Sequence, residues 1–248
     1  MNRERAGNSG KYLDELYAHW GEIRKETIEQ LGAREALKIV DFHGNNWIDV
    51  VRWVSSTYER QDQMNIVSFQ LSRLFKEIYW LQFLFLAGNY STAYRNLRWI
   101  LELISQAYYV DAKYPTLSLD EQIEKTMEIE ENVFGWNIVS STLVKVLNRR
   151  GQQIQAFFGP LWRELNRHAH PSAKQMDLIA MEDFSALVTD SFNENLAKEL
   201  LVATDRVFDI VYAVVLKRFP KAKSLVREYE FLDEWERCLP ITMSIIRQ

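Results

Sequence analysis

A chain of 248 residues, 47% hydrophobic and 13% aromatic, is long enough to bury a real core, which excludes a disordered polypeptide. Its net charge of −4 excludes a global attraction to nucleic acid or acidic membranes, so any such binding needs a local patch. The lone Cys238 excludes an internal disulfide framework and a cysteine-rich zinc site, and suits a reducing, cytoplasmic setting.

Nine glycines and five prolines are too few for an all-β chain, which needs turn residues at short intervals. Residues 1–10 are polar, lack the apolar core of a signal peptide and read as a flexible tail. Residues 11–248 read as a single all-helical domain. From Lys11 to about Val40, Leu13, Leu16, Tyr17, Trp20, Ile23, Ile28 and Leu31 recur with helical spacing, weakened at Gly21 and Gly32. Asp41-Phe42-His43-Gly44-Asn45-Asn46 reads as a polar loop.

A second helical zone opens at Trp47 and breaks around Arg60-Gln61-Asp62-Gln63. It resumes from Ile66 to Leu86, apolar nearly all round, which predicts a central buried helix closed by Gly88. Asn89 or Ser91 then caps a helix running to about Asp111, with Ala93, Leu97, Ile100, Leu101, Ile104, Ala107 and Tyr108 on one buried face. Arg98 and Glu102 sit one turn apart and can pair along its side.

Ser118-Leu119-Asp120-Glu121 is a capping box opening an acidic helix whose carboxylates, Asp120 to Glu131, face water. The next helix, Trp136 to Arg150, turns Val139, Leu143, Val146 and Leu147 inward and closes at Gly151. Phe157 to His170 follows, then a loop at Pro171-Ser172-Ala173-Lys174. Asp190 is placed to cap a long helix ending at Phe219-Pro220, and the tail forms short helices broken at Pro240. No run alternates with period two. The longest uncharged run, Ile78 to Tyr94, falls short of the ~20 apolar residues of a membrane span. The expected architecture is all-α: an up-and-down bundle of long antiparallel helices with extra terminal helices, and no membrane association.

The chemistry-bearing stretch is Leu161-Trp162-Arg163-Glu164-Leu165-Asn166-Arg167-His168-Ala169-His170-Pro171. At roughly 100° per residue, Arg163, Arg167 and His170 share a face, while His168 lies about 140° round from Arg163. Pro171 puts His170 at a helix C-terminus, where the dipole favours a protonated imidazole. Arginines that neutralise phosphate beside a histidine that moves protons suit phosphodiester chemistry. Lys145, Arg149, Arg150, Arg163, Arg167 and Lys174 face only Glu164 between Leu143 and Gln175, a local patch suited to RNA. The same patch also suits pairing with the acidic helix Asp120 to Glu131, within one chain or between two.

Arg163 followed by His168 after four residues, or by His170 after six, resembles the Arg-x(4–6)-His signature of the HEPN superfamily. The run Leu165-Asn166-Arg167-His168-Ala169-His170-Pro171-Ser172 is similar to a histidine-proline segment of HEPN-type helical proteins, and Ala93 to Glu102 resembles their earlier helix. The likeness covers about residues 69–219. It implies a small helical bundle, in many members a metal-independent ribonuclease acting as a homodimer. It further implies Arg163 as the phosphate-binding group, His170 or else His168 as general acid/base, and Asn166 as an orienting neighbour. From local charge, Arg167, Arg149, Arg150 and Lys174 are the expected RNA-binding residues.

The same residues also suit purely structural work, the histidines capping carbonyls and the arginines covering apolar surface. No Glu-x-x-His pair, phosphate-cradling glycine loop, nucleophile elbow or dinucleotide fingerprint occurs, so neither metal nor cofactor is expected. His168-x-His170 lacks a nearby third ligand, and Cys238 reads as a small core residue. Eight tryptophans and eleven tyrosines exceed what a core ordinarily uses and open a second reading. That reading is a non-catalytic helical interaction protein, self-associating or bound to a protein partner.

Overall fold

The computed structural model describes residues 3–57, 65–131, 135–147, 154–169, 191–227 and 232–247. All regular structure in them is helical: α1 Arg3–Leu31, α2 Ala33–Ala36, a π-helix Ile39–Gly44, α3 Asn45–Thr57, α4 Ile66–Leu86, α5 Tyr90–Lys113 and α6 Leu119–Glu131. There follow α7 Gly135–Leu147, α8 Ile154–Ala169, α9 Glu194–Arg218, α10 Ala222–Arg227, α11 Leu232–Cys238 and α12 Pro240–Ile246. The all-α expectation is met. Among the described residues no helix is long and apolar enough to cross a membrane. The break at Arg60-Gln61-Asp62-Gln63, the closing Gly151, the Pro171–Lys174 loop and the Asp190 cap lie outside the described residues.

Local chemistry explains most helix ends. Asn89 caps α5 by accepting from the Thr92 backbone N–H at 3.2 Å, and Asn193 caps α9 by accepting from Leu196 N–H at 3.0 Å. At α6 the Ser118 hydroxyl accepts from Glu121 N–H at 3.3 Å while the Glu121 carboxylate accepts from Ser118 N–H at 2.8 Å, a reciprocal box. Its carboxylates Asp120, Glu121, Glu124, Glu128, Glu130 and Glu131 are exposed, as expected. Gly88 closes α4 at φ +72°, and a Cβ there would come within 2.5 Å of the Ser191 carbonyl oxygen. Glycine is therefore required twice, by the backbone angle and by the chain that enters α9.

α5 and α9 form the centre. α5 packs on α4, α6, α7, α8 and α9, and it shows no exposed residue from Leu103 to Asp111. In α9 every residue from Val207 to Leu216 is buried. A helix buried all round has to satisfy its polar side chains internally. Both oxygens of Asp209 accept backbone N–H groups of α12, Ile241 at 2.9 Å and Thr242 at 2.7 Å. α12 has no side-chain cap of its own, so α9 supplies one across the fold. Burial pushes the Asp209 carboxyl up to about 6, and the two N–H donors hold it back from rising further.

Two expectations are corrected. The segment Asp41–Asn46 is not a polar loop. It continues the π-helix into α3, with Phe42, His43 and Gly44 buried. Its backbone groups find tertiary partners: Gln82 accepts from Val40 N–H at 3.2 Å and donates to Ala36 O at 2.8 Å, while the Tyr212 hydroxyl donates to His43 O at 3.0 Å. Nor is α4 buried all round. Ile66, Leu74, Ile78 and Leu81 are sealed inside, but Phe75, Tyr79, Trp80 and Phe83 are exposed. α5 takes the central place instead, since its own apolar stripe is flanked by neighbours on several sides.

Gly88→Ala is expected to lower stability by about 1–3 kcal/mol from the left-handed backbone alone, and by more if the Ser191 backbone cannot retreat. Equilibrium urea denaturation of the variant against the parent chain checks this.

Candidate phosphate-binding face and buried ionic cluster

α8 ends at Ala169, with its inner stripe Phe158, Leu161 and Leu165 buried against the core. That stripe turns Arg163 and Arg167 outward, and both are exposed. The Arg163 guanidinium lies back along its own helix, 3.9 Å from where a side chain at Gly159 would begin. Glu164, the one carboxylate of the stretch, pairs with Arg206 of α9 at 3.3 Å. Lys145, on α7, is exposed as well.

The flank toward α5 is half-buried. Arg98 Nε donates to Glu102 at 3.1 Å, the expected one-turn pair, and the Arg98 guanidinium also lies over the Trp162 ring at 4.9 Å. Tyr94 is fully buried on the same α5 face. Burial pushes its phenol up, with Glu164 and Glu199 adding to the rise and Arg167 and Arg206 opposing it. Four charged groups from α8 and α9 thus gather around a phenol that stays protonated. Asn166 is half-buried with its side-chain oxygen out of solvent and without a hydrogen-bond partner among the described residues. The structure therefore brings Arg163, Asn166 and Arg167 together on one helix, with Arg98, Glu102 and Tyr94 behind them. His170, Arg149, Arg150 and Lys174, and the side chain of His168, lie outside the described residues.

A second cluster escaped the sequence reading. His43 is fully buried, its Nε2 is 2.9 Å from Asp205, and Lys38 donates to the other Asp205 oxygen at 2.6 Å. Burial lowers the pKa of His43 below its ordinary 6.5, outweighing the opposite pull of Asp205, so the ring is neutral and Nε2–H donates. Burial alone would raise Asp205, but the hydrogen bonds from His43 and Lys38 and the positive charge of Lys38 outweigh it and hold the carboxyl low. The imidazole stacks on Phe208 at 4.5 Å, and its Nδ1 has no hydrogen-bond partner among the described residues.

Lys38 and Asp41 border a cavity of about 350 Å³ lined also by Arg34, Phe42, Glu234 and Cys238. Cys238 is half-buried at that cavity edge and packs on the core, close to its expected role. With His43 shut away from solvent and Asp205 half-buried, the pair fastens the π-helix to α9. The only sequence signal for it was Asp41-x-His43, and Asp205 lies 162 residues from His43.

Because the unfolded His43 takes a proton at a higher pH than the folded one, its contribution is fully present above pH 6.5 and is lost as pH falls through the folded pKa. Asp205, held low, adds a further loss as pH falls below its ordinary 3.8. As pH falls below 6.5 the loss at His43 pulls the urea midpoint down with a slope that Asp209, held up to about 6, opposes, because its carboxyl binds a proton more readily in the folded chain than in the unfolded one. His43→Gln should lower stability near neutrality by about 1–3 kcal/mol while flattening that slope. Denaturation curves across the pH range read both effects.

No protein-family model, no curated protein and no solved structure matches the chain, so its function has to be read from its own residues.

Proposed function

We propose that this is a HEPN-like RNA-binding protein that cleaves RNA without a metal, using Arg163 and a histidine at the end of α8. The observation that carries the reading is the paired exposure of Arg163 and Arg167, one turn apart, while Glu164 is engaged by Arg206. Two outward guanidiniums just before His168 and His170 supply bidentate donors for a phosphodiester. RNA carries its own nucleophile. His170, or else His168, takes the proton of a 2′-hydroxyl, the 2′-oxygen attacks phosphorus, and the 5′-oxygen leaves with a proton. Arg163 neutralises the charge that builds on the phosphate oxygens during the attack. Asn166, whose side-chain oxygen has no hydrogen-bond partner among the described residues, takes the part of orienting neighbour in this reading. Arg167, Lys145, Arg149, Arg150 and Lys174 extend the binding track.

The exposed aromatic face of α4 favours a second reading, a helical interaction protein without catalytic activity. That face is exposed although Phe83 meets Trp20 of α1, and exposed aromatic clusters of this kind anchor interfaces.

The first reading requires single-stranded RNA to be cut in excess chelator and the all-deoxy strand of the same sequence to survive. Arg163→Ala and one of His170→Ala or His168→Ala are expected to slow cutting by about 10²–10⁴-fold with the fold intact by circular dichroism. Arg167→Ala should reduce the salt slope of RNA binding by about one. No cutting by the parent chain would leave the interaction reading, and unfolding of Arg163→Ala would mark that arginine as structural.

A further inference from the structure

α1 and α4 leave one continuous aromatic surface uncovered. Tyr17 meets Trp20 at 5.9 Å between ring centroids, Trp20 meets Phe83 at 5.5 Å, and Phe83 stacks on Trp80 at 5.1 Å. Phe75 and Tyr79 continue the face one turn further along α4, in contact at 5.0 Å. Tyr17 is 65% exposed, Trp80 48%, Tyr79 46%, Phe83 41% and Phe75 37%. The inner face of α4 is spent on the core, while the outer aromatics stay exposed, Phe83 meeting Trp20 of α1.

Among its described side chains α1 is buried only toward its C-terminal part. Ile23 and Thr27 are buried, but residues 14–19 bury no side chain at all. Leu16, Tyr17 and Trp20 nevertheless lie at helical spacing on one stripe, the signature of a helix face that packs on something. An amphipathic half-helix and an aromatic face thus sit side by side, and each is the kind of surface the other needs.

We infer that a second copy of this chain covers this surface, α1 of each copy lying on the aromatic face of α4 of the other about a two-fold axis. Three features select a copy over a foreign partner. The two complementary surfaces occur on the same chain and adjoin at Trp20 and Phe83, so a single two-fold satisfies both at once. The charges match: Asp14, exposed on α1, precedes Tyr17 by one turn, and Lys76, exposed on α4, lies between Phe75 and Tyr79. The area is sufficient. A large aromatic side chain presents roughly 150–250 Å², so these exposed portions amount to on the order of 500 Å² per copy. A shared face then buries about 1,000 Å² from aromatics alone, the size at which specific interfaces begin. The inference rests on the interaction reading of these aromatics and stands apart from the nuclease reading.

Light scattering coupled to size exclusion, run over a concentration series, tests it. The parent chain is expected to give the mass of two copies. Trp80→Ser on α4 and Tyr17→Ser on α1 each alter an exposed side chain, so both should keep the parent helical signal. Each is expected to weaken association by about 30-fold, the loss that accompanies a hot-spot aromatic. A parent chain of single-copy mass at every concentration overturns the inference. Two-copy mass that survives both substitutions also overturns it, but leaves the interaction reading alive on another surface. Neither result bears on RNA cleavage, which is read by its own assay.

Discussion

The structure depends on sealing the C-terminal half of one helix, α9, which carries polar groups along its length. α9 is sealed from Val207 to Leu216, yet Asp205, Asp209 and Tyr212 fall at four- and three-residue steps and so form one seam along it. Each position on the seam fastens a different part of the chain. Asp205 holds Lys38 and His43, Tyr212 donates to the His43 carbonyl, and Asp209 caps α12. Beyond the seam Arg218 pairs with the buried Asp111 of α5. The penalty for leaving any of these groups unpaired in a dry interior gives the fold its specificity, since apolar burial alone would let helices slide past one another.

The π-helix follows from the same constraint. Widening the helical turn at Ile39–Gly44 alters the i→i−4 pattern of backbone bonding, and Gln82 and Tyr212 reach in to bond backbone groups there. His43, neutral and stacked on Phe208, fills the space the wider turn exposes. An ionised imidazole there would face burial from every side, and this is why the cluster is built around a neutral ring.

The outer surface divides into two regions of different character. The end of α8 presents guanidiniums to water, backed by a half-buried layer in which Arg98 bridges Glu102 and the Trp162 ring. The α1–α4 face presents rings, with the exposed Asp14 and Lys76 among them. Cationic and aromatic surfaces favour different partners, phosphate in the first case and another folded surface in the second. The two proposed roles therefore do not compete for the same side chains, and a self-associated RNA-binding protein would use both.

Much of the fold was legible in the sequence because helix formation is local. Asn89, the Ser118–Glu121 box and Gly88 announce their helix ends through neighbours three or four residues away, and the buried stripe of α5 follows from its spacing. The outward Arg163 and Arg167 were legible for the same reason, once Leu161 and Leu165 defined the inner side of α8. Tertiary structure alone decided the rest. In a helix apolar all round, such as Ile66–Leu86, periodicity cannot say which side meets the core, so only packing revealed that Phe75, Tyr79, Trp80 and Phe83 face out. Nor can spacing bring His43 to Asp205, because a hydrogen bond between side chains so far apart in the chain exists only after the helices between them have packed.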